Sequence, residues 1–189
     1  MLFKPADILN IVSQLKQGAV GIFPCDTVFG IISCVTDDCA HKIRHIKGRA
    51  ADSPFIALIP NQKHIESLCE ITSDSQQQLL NYYWPGPYTF ILDKKPTVST
   101  SISKQDSLAV RYPEYLPLNF LLDNLDQPII STSANKHGDS RIPCSKSLDP
   151  DIVSQVDFCF TDVDPLYQQS SHIWDIRKKI PHILRKGPL

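Results

Sequence analysis

The feature that most constrains this sequence is an apolar segment near residue 130 that turns polar within two residues. The stretch 128–138 has the sequence PIISTSANKHG. Its isoleucines indicate the end of a buried strand, and ligands bind at strand ends in open α/β sheets. Residues two apart in extended backbone point to one side, so Ser133 and Asn135 can present a hydroxyl and an amide to one ligand. A turn that caps the next helix is the alternative.

Composition narrows the class of protein. A length of 189 residues favours one domain, 1–189, and 42% hydrophobic residues supply a core. The net charge of −1 argues against a polycation that binds nucleic acid non-specifically. No apolar run is long enough for a membrane span, and the six cysteines form no Cys-x-x-Cys pair. We therefore expect a soluble, cytoplasmic, single-domain protein with reduced thiols.

Helical and strand-like patterns alternate irregularly along the chain. Such an order favours an α/β fold with a mixed sheet over a strict βαβ series. The Ser- and Lys-rich segment 94–106 shows little periodicity, and we expect a mobile loop beside the site. The expected helices are 5–16, 37–46, 61–69, 73–83, 116–125 and one from 149, and the expected strands are 19–23, 28–35, 55–59, 88–92, 107–111, 157–161 and a hairpin of 171–176 with 182–186.

Two cations follow the second predicted helix. Gly48 is expected to end that helix, and in an extended segment Lys47 and Arg49 share a side. Two cations held together repel each other unless an anion lies between them, which points to a phosphate-bearing ligand. A solvated helix end, where the helix dipole favours basic residues, is the alternative.

Two further positions carry polar side chains next to predicted strands. Asp26 and Thr27 lie in a turn between two strands, where they either face a ligand or stabilise the turn itself. Arg111 ends a core strand on the same side as Ala109, and it either extends to solvent or holds an anion.

Several common catalytic patterns are missing from the sequence. It contains no P-loop, no Gly-x-Gly-x-x-Gly fingerprint and no Gly-x-Ser-x-Gly elbow. His41 and His45, four apart and close to Cys39, are interpreted as a surface pair rather than a metal site. Cys25 lies in a polar turn without a His or Asn context for a thiol nucleophile.

Seven short motifs follow one another along the chain. They are PCDTVFG at 24–30, KGR at 47–49 with Pro54, WPGPYT at 84–89, SLAVR at 107–111, STSAN at 131–135, SHIWD at 171–175 and ILRKG at 183–187. In this order they resemble the YrdC/TsaC family of threonylcarbamoyl-AMP synthases, from about residue 5 to the end of the chain. The sequence departs from the family pattern at Cys25 in place of a threonine, at Ile32 in place of a frequent glycine and at Ala50 in place of a frequent proline, and the strand 55–59 lacks a histidine found in some members.

The resemblance implies a fold and a reaction. The fold is a single-domain, YrdC-like twisted mixed sheet flanked by helices with a concave basic site, in the short bacterial form. The reaction joins L-threonine, bicarbonate or CO2, and ATP into threonylcarbamoyl-adenylate with release of pyrophosphate. The product serves the N6-threonylcarbamoyladenosine modification of tRNA through a downstream transferase complex. A positioned phosphoryl transfer of this kind needs charge stabilisation more than a protein nucleophile.

Site residues are carried over from the matching motifs. The resemblance implies catalytic roles for Lys47 and Arg49, with Mg²⁺ carried by ATP rather than by a protein cage. It places Thr27 and Arg111 on the threonine side, where a planar guanidinium suits a carboxylate. The residues expected to bind ATP are Lys47, Arg49, Ser133, Asn135, Ser171 and Arg185.

Two other functions are compatible with the residues. One is a non-catalytic module that binds double-stranded RNA or tRNA on a basic concave face. Its affinity would fall steeply with salt, and it would turn over no nucleotide. The other is a carbamoyl-phosphate-using transferase related to the hydrogenase-maturation carbamoyltransferases, whose additional domains have no room in this chain. Threonine-dependent pyrophosphate release separates the synthase from both.

Overall fold

The computed structural model describes most of the chain as helices and strands that alternate in sequence. The described residues are 3–48, 53–103, 105–136, 138–139 and 141–188. The helices are α1 (Pro5–Lys16), α2 (Asp37–Lys47), α3 (Asp74–Tyr83), α4 (Leu116–Leu125) and α5 (Pro150–Val153), with a 3-10 helix at Gln62–Ser67. The strands are β1 (Gly21–Pro24), β2 (Phe29–Cys34), β3 (Ile56–Leu58), β4 (Cys69–Glu70), β5 (Tyr88–Lys94), β6 (Ser107–Arg111), β7 (Ile129–Ser133), β8 (Phe158–Cys159), β9 (His172–Asp175) and β10 (His182–Arg185).

All strands of the described residues join one mixed sheet. Its order is β10-β9-β5-β6-β3-β7-β2-β1-β8, and β4 pairs with β5. The pairs β1–β8, β3–β6 and β5–β9 are parallel, whereas the others are antiparallel. The predicted α/β class with a mixed sheet flanked by helices is confirmed, as is the closing hairpin of β9 and β10. The two-residue strand β4 was not predicted.

Local sequence signals explain where the helices begin and end. Pro5 stands in the first turn of α1, where its missing N–H costs nothing. The Ser73 side chain accepts a hydrogen bond from the Gln76 N–H and so caps α3. Gly48 ends α2 in the left-handed conformation, with a φ of 56°, which glycine adopts without strain. The predicted bounds of α1, α3 and α4 therefore agree closely with the structure.

The sheet divides the core into two clusters because successive side chains of a strand point to opposite faces. One face packs against α2 and α3, through residues such as Ile31, Ile43 and Leu80. The other face packs against α1 and α4, through residues such as Ile8, Ile32 and Leu121. The second pair of helices covers only part of its face, and the remainder forms the site described below.

The loop between β5 and β6 is anchored to the body of the protein. Val98 and Ile102 are buried in the core. Phe55 N–H donates to the Ile102 carbonyl, and Arg44 donates to the Ser101 carbonyl. The expectation of a mobile loop at 94–106 is therefore wrong for its described residues, because apolar side chains fix it to α2 and to the segment before β3.

None of the helices in the described residues is both long enough and apolar enough to cross a membrane.

Candidate functional site

A cavity of about 500 Å³ opens on the part of the sheet that α1 and α4 leave uncovered. Hydroxyls and small or apolar side chains make up most of its lining, and two arginines supply its charge. Five of the residues predicted for the site line it, namely Thr27, Arg111, Ser133, Ser171 and Arg185. Its other lining residues are Cys25, Val28, Gly30, Pro54, Phe55, Ile56, Ile91, Ala109, Ser131, Thr132, Ser170, Ile173 and Leu184.

The floor of the cavity is kept open by small residues on neighbouring strands. Gly30 of β2 pairs with Ser133 of β7. A Cβ atom on Gly30 would lie 2.7 Å from the Ser131 Oγ and 3.0 Å from the Cys25 Sγ. Real Cβ atoms essentially never show a contact as short as 2.7 Å, and 3.0 Å is unusually tight, so the glycine lets the β1–β2 turn approach the end of β7. Ser131 and Ser133 line the cavity there, with the Ser131 hydroxyl 3.9 Å from the Cys25 Sγ.

Arg111 is held at the cavity by a buried ion pair. Its Nη2 lies 2.9 Å from the Asp26 Oδ1, and the two side chains are 4% and 0% exposed. This pair resolves both open interpretations, because Arg111 does not extend to solvent and Asp26 does not simply stabilise its own turn. The Arg111 Nε and both Asp26 carboxylate oxygens have no well-aligned hydrogen-bond partner among the described residues. The guanidinium therefore retains a donor for a ligand.

Burial changes the titration of the groups around this pair. It raises the pKa of Asp26, and the positive charge of Arg111 opposes that shift. Burial also raises the pKa of the neighbouring Cys25 thiol to about 11. A thiol with that pKa is protonated at neutral pH and is a poor nucleophile. Cys25 therefore contributes shape to the cavity rather than covalent chemistry.

A second polar chain forms the wall of the cavity at β9 and β10. The Arg185 Nε donates to the Ser171 carbonyl at 2.8 Å, and its Nη2 donates to the Ser171 hydroxyl at 3.1 Å. The same hydroxyl lies 2.8 Å from the Oγ1 of Thr89, which is fully buried. Partial burial lowers the pKa of Arg185, and the positive charge of Arg111 lowers it further. The two guanidinium groups are thus close enough to influence each other.

The backbone beside Ser171 is fixed by close packing of the last described residues. A Cβ atom on Gly187 would lie 2.4 Å from the His172 backbone nitrogen, so only glycine fits there. The Gly187 N–H donates to the His172 Nδ1 at 3.0 Å, and the His172 Nε2 lies 2.7 Å from the Pro188 carbonyl oxygen. These contacts explain why the ILRKG motif ends in glycine.

Lys47 reaches the site from the end of α2. Its Nζ donates to the Ser133 carbonyl and lies 3.3 Å from the Asn135 Oδ1, and the residue is 5% exposed. The Ser133 hydroxyl donates to the same Asn135 oxygen at 2.6 Å. The structure therefore brings Lys47, Ser133 and Asn135 together, although Lys47 and Asn135 lie beside the cavity rather than in its lining.

The sequence argument for Lys47 was wrong in its geometry. It assumed an extended segment, whereas Lys47 is the last helical residue and Gly48 is left-handed. The alternative of a solvated helix end is also wrong, since Lys47 is buried against β7. Arg49 and Ala50 lie outside the described residues, and so does the predicted pairing of Lys47 with Arg49, which stays a prediction. Ile32, the second departure from the family pattern, is a core residue under α1 and α4.

Sequence reasoning missed two positions with a clear part in the site. Ser131 lines the cavity, and Thr89 orders Ser171. Ser131 is two residues before Ser133 on the same strand, so strand alternation could have identified it. Thr89 lies in the WPGPYT motif, but no local signal indicates a contact with a residue 82 positions away.

The described residues contain no group of three or more His, Cys, Asp or Glu side chains suited to a metal ion. His41 instead lies 3.5 Å from the Ser101 hydroxyl through its Nε2. Thr27 is anchored through its carbonyl, which accepts a hydrogen bond from the Gln169 N–H at 3.1 Å. The loop 162–170 thereby closes the side of the cavity near Thr27.

Comparison with known proteins assigns this fold and site to a family. The family model for Sua5, YciO and YrdC, described as "Telomere recombination", matches residues 13–187. The chain belongs to this family. It is 28% identical to a threonylcarbamoyl-AMP synthase of Pyrococcus abyssi over 93% of this chain and 52% of that protein. It is 26% identical to a protein of the same name from Vibrio vulnificus, over 96% of this chain and 99% of that protein.

A solved structure has the same architecture. The crystal structure of P. abyssi Sua5 complexed with L-threonine superimposes with a TM-score of 0.91 at 26% sequence identity. The superposition covers 98% of this chain and 55% of that one. The chain therefore spans about half the length of its archaeal relatives and nearly the full length of the Vibrio relative. The family expected from the seven motifs is confirmed.

Proposed function

We propose that this protein is a threonylcarbamoyl-AMP synthase. It converts L-threonine, bicarbonate or CO2, and ATP into threonylcarbamoyl-adenylate and pyrophosphate. The observation that carries the proposal is the cavity with a buried, donor-bearing Arg111, in a fold that matches a threonine-bound Sua5. The names of the relatives favour this activity over an RNA-binding module without catalysis.

Arg111 and Thr27 form the amino-acid side of the proposed site. The Arg111 guanidinium is buried at the cavity and has an Nε without a well-aligned partner among the described residues. A carboxylate is the ligand that a planar guanidinium holds best. Arg111 therefore binds the threonine carboxylate, and Thr27 lines the space beside it.

The nucleotide is bound by groups that flank Arg111 in the order of the sheet. Ser171 and Arg185 form one wall there, and Ser133 with Asn135 forms the end of β7. Lys47, fixed to that end, and Arg49 stabilise the phosphate charge that develops during transfer. Mg²⁺ enters with ATP as part of the substrate. This division leaves Arg111 for the amino acid and the remaining cations for phosphate.

The chemistry then requires positioning more than a protein nucleophile. The threonine amine attacks the carbon of bicarbonate with loss of water, or adds to CO2 with loss of a proton, and so forms an N-carboxylate. One oxygen of this carboxylate attacks the α-phosphorus of ATP. The new bond joins that oxygen to phosphorus, and the bond to the β-phosphate breaks with release of pyrophosphate. Both the carbamate and the acyl-adenylate are labile in water, so an enclosed cavity protects them.

The product is the substrate for N6-threonylcarbamoyladenosine formation on tRNA. A downstream threonylcarbamoyltransferase complex is the expected recipient, and direct contact with RNA is a further expectation. Both fit a cytoplasmic protein. The basic character of the site as a whole also stays a prediction, because Asp26 balances one of the two arginines in the cavity.

Pyrophosphate release tests the proposal directly. The assay contains ATP, Mg²⁺ and bicarbonate, with L-threonine, serine, glycine or no amino acid. Threonine-dependent release supports the synthase, whereas ATP binding without release under any amino acid contradicts it. Lys47→Ala and Arg49→Ala should each abolish turnover while the far-UV circular dichroism spectrum stays unchanged. Near-wild-type rates in either variant would remove that residue from the assigned catalytic role.

A further inference from the structure

The two arginines of the cavity differ in what balances their charge. Arg111 lies 2.9 Å from the Asp26 carboxylate, and both side chains are almost fully buried. Arg185 is held by the carbonyl and hydroxyl of Ser171, which are neutral acceptors. Among the described residues, no carboxylate lies within ion-pair distance of Arg185. One end of the cavity is thus charge-balanced, and the other carries a net positive charge.

The contacts of Asp26 indicate that its charge matters more than its hydrogen bonds. A buried carboxylate with a structural role is ordinarily hydrogen-bonded through its oxygens. Both Asp26 oxygens lack a well-aligned hydrogen-bond partner among the described residues. Of the interactions that favour its charged form, the positive charge of Arg111 at 2.9 Å contributes most, ahead of the Asp26 and Thr27 N–H groups. The carboxylate therefore serves chiefly to set the net charge around that guanidinium.

Net charge separates the two kinds of anion that the proposed reaction brings together. The triphosphate of ATP carries more negative charge than one carboxylate and is attracted more strongly to an unbalanced cation. Beside Asp26, repulsion nearly cancels the attraction to Arg111 for any anion, so the anion must recover its desolvation cost from the Nε donor. That cost is larger for a dianion than for a single carboxylate, which a guanidinium donor suits.

We propose that Asp26 is a specificity-determining residue that reserves Arg111 for a single carboxylate and directs phosphate groups to the Arg185 wall. This inference rests on the proposed function, since it assigns the threonine carboxylate to Arg111 and the nucleotide to the wall at β9 and β10. Asp26 acts through Arg111, because it does not line the cavity itself.

Sulfate is a suitable probe because it stays a dianion across the usable pH range. In the wild-type protein, sulfate should inhibit pyrophosphate release competitively against ATP and should leave the KM for L-threonine unchanged. Competition against L-threonine in the wild type would overturn the proposal without any variant.

Asp26→Asn keeps the side-chain shape and removes the balancing charge. In this variant sulfate should become competitive against L-threonine, and calorimetry should show sulfate binding at least about tenfold tighter than in the wild type. Adding Arg111→Gln to this variant should abolish the gain, which would locate the anion at Arg111. The double variant also removes both buried charges, a change that proteins often tolerate better than the loss of one partner.

Asp175→Asn is the matched control. Asp175 pairs with Arg177 at 2.6 Å on β9, and neither residue lines the cavity. Sulfate binding and threonine kinetics should match the wild type in this variant. A folded Asp26→Asn protein that binds sulfate no better than Asp175→Asn would refute the proposal.

The design separates this inference from the proposed function. If the wild type shows no threonine-dependent pyrophosphate release, the proposed function fails, but the calorimetric comparison still measures charge balance at Arg111. If release occurs and the sulfate results are negative, only the role of Asp26 fails. Should Asp26→Asn not fold, the wild-type inhibition pattern decides the question alone.

Discussion

Two parts of one sheet face, built from the same strands, show how this fold separates stability from binding. Under α1 and α4 the face carries Cys34, Leu58 and Ile129, all buried in one apolar cluster. Two residues further along the same strands, on the same side, lie Ile32, Ile56 and Ser131, of which the last two line the cavity. On β7 the change from Ile129 to Ser131 occurs between two residues that are neighbours on the same side of the strand.

This comparison shows that the cavity exists because α1 and α4 leave part of the sheet face uncovered. The helices end their contact where the side chains become small or polar, at Gly30, Ser131 and Ser133. Burying a serine hydroxyl under an apolar helix would cost free energy, and exposing isoleucine to water would cost it as well. The boundary between core and site therefore follows the residue types of β2 and β7.

The largest effect on stability should follow a substitution that puts a serine, as found in the cavity lining, into the part of the sheet covered by α1 and α4. Ile129 is fully buried, and Ile129→Ser removes apolar volume and buries a hydroxyl without a partner. We expect a loss of about 3–5 kcal/mol in the free energy of unfolding, measured by urea denaturation. Leu116→Ser on α4, where the side chain is 64% exposed, is the control and should change it by less than about 0.5 kcal/mol. Similar losses in both variants would contradict the boundary.

The next effect concerns the ion pair between Asp26 and Arg111 at the cavity. Arg111→Gln leaves the Asp26 carboxylate buried without its cation, which should cost about 3 kcal/mol. It should also raise the KM for L-threonine at least about a hundredfold, since a charge-assisted contact is lost. A folded variant with an unchanged threonine KM would remove Arg111 from the amino-acid site.

The stability of Arg111→Gln should depend on pH in a definite direction. Burial raises the pKa of Asp26, and the loss of Arg111 removes the influence that opposes the rise. A carboxyl whose pKa is raised in the folded state binds more protons there than in the unfolded chain, so stability falls as pH rises. Relative to the wild type, the variant should lose stability above pH ~4, the ordinary Asp pKa. Denaturation midpoints from pH 4 to 8 measure the difference.

A smaller effect is expected from closing the floor of the cavity. Gly30→Ala places a Cβ atom against the Ser131 hydroxyl and the Cys25 sulfur, and these must shift. Overpacking of this kind should cost about 1–2 kcal/mol and reduce threonine-dependent turnover. Gly18→Ala, at a left-handed position after α1 where an added Cβ would lie 4.0 Å from the Cys39 Sγ, tests strain without filling the cavity. Equal losses of turnover in both variants would argue against a role for floor space.

The smallest effect on stability should follow the loss of the Thr89 hydroxyl, which contacts Ser171 in the cavity wall. Thr89→Val keeps the shape of a buried side chain and removes its hydrogen bond to Ser171. We expect about 1 kcal/mol in stability and a KM for ATP that rises several-fold, while the KM for L-threonine stays constant. Steady-state kinetics with each substrate varied in turn make the distinction, and a change confined to threonine would reverse the assignment of the two walls.

Much of the fold could be predicted because its signals are local. Pro5 with an apolar stripe, the Ser73 cap and the left-handed Gly48 each fix a helix end from neighbouring residues. The motifs also predicted most of the site, since Thr27, Arg111 and Ser171 all line the cavity. Strand β4 was missed because two residues carry no periodic pattern.

The contacts that organise the site could not be predicted in the same way. Asp26 and Arg111 are 85 positions apart, and only the sheet order β6-β3-β7-β2 brings them together. Lys47 was expected in an extended segment, yet its burial depends on β7 lying beside the end of α2. The loop 94–106 was predicted to be mobile because it is rich in polar residues. Composition alone does not reveal that Val98 and Ile102 are buried in the core.

The position of Arg185 on the outermost strand has a consequence for motion. Strand β10 pairs with β9 alone, and all four of its residues are exposed, whereas β6 and β7 each lie between two partners. Amide hydrogens of β10 should therefore exchange with deuterium far sooner than those of β6, since edge segments open locally. The wall that carries Arg185 is therefore the more mobile part of the cavity. A bound nucleotide would slow amide exchange in β10, whereas exchange in β6, which carries Arg111, should be the same with and without nucleotide.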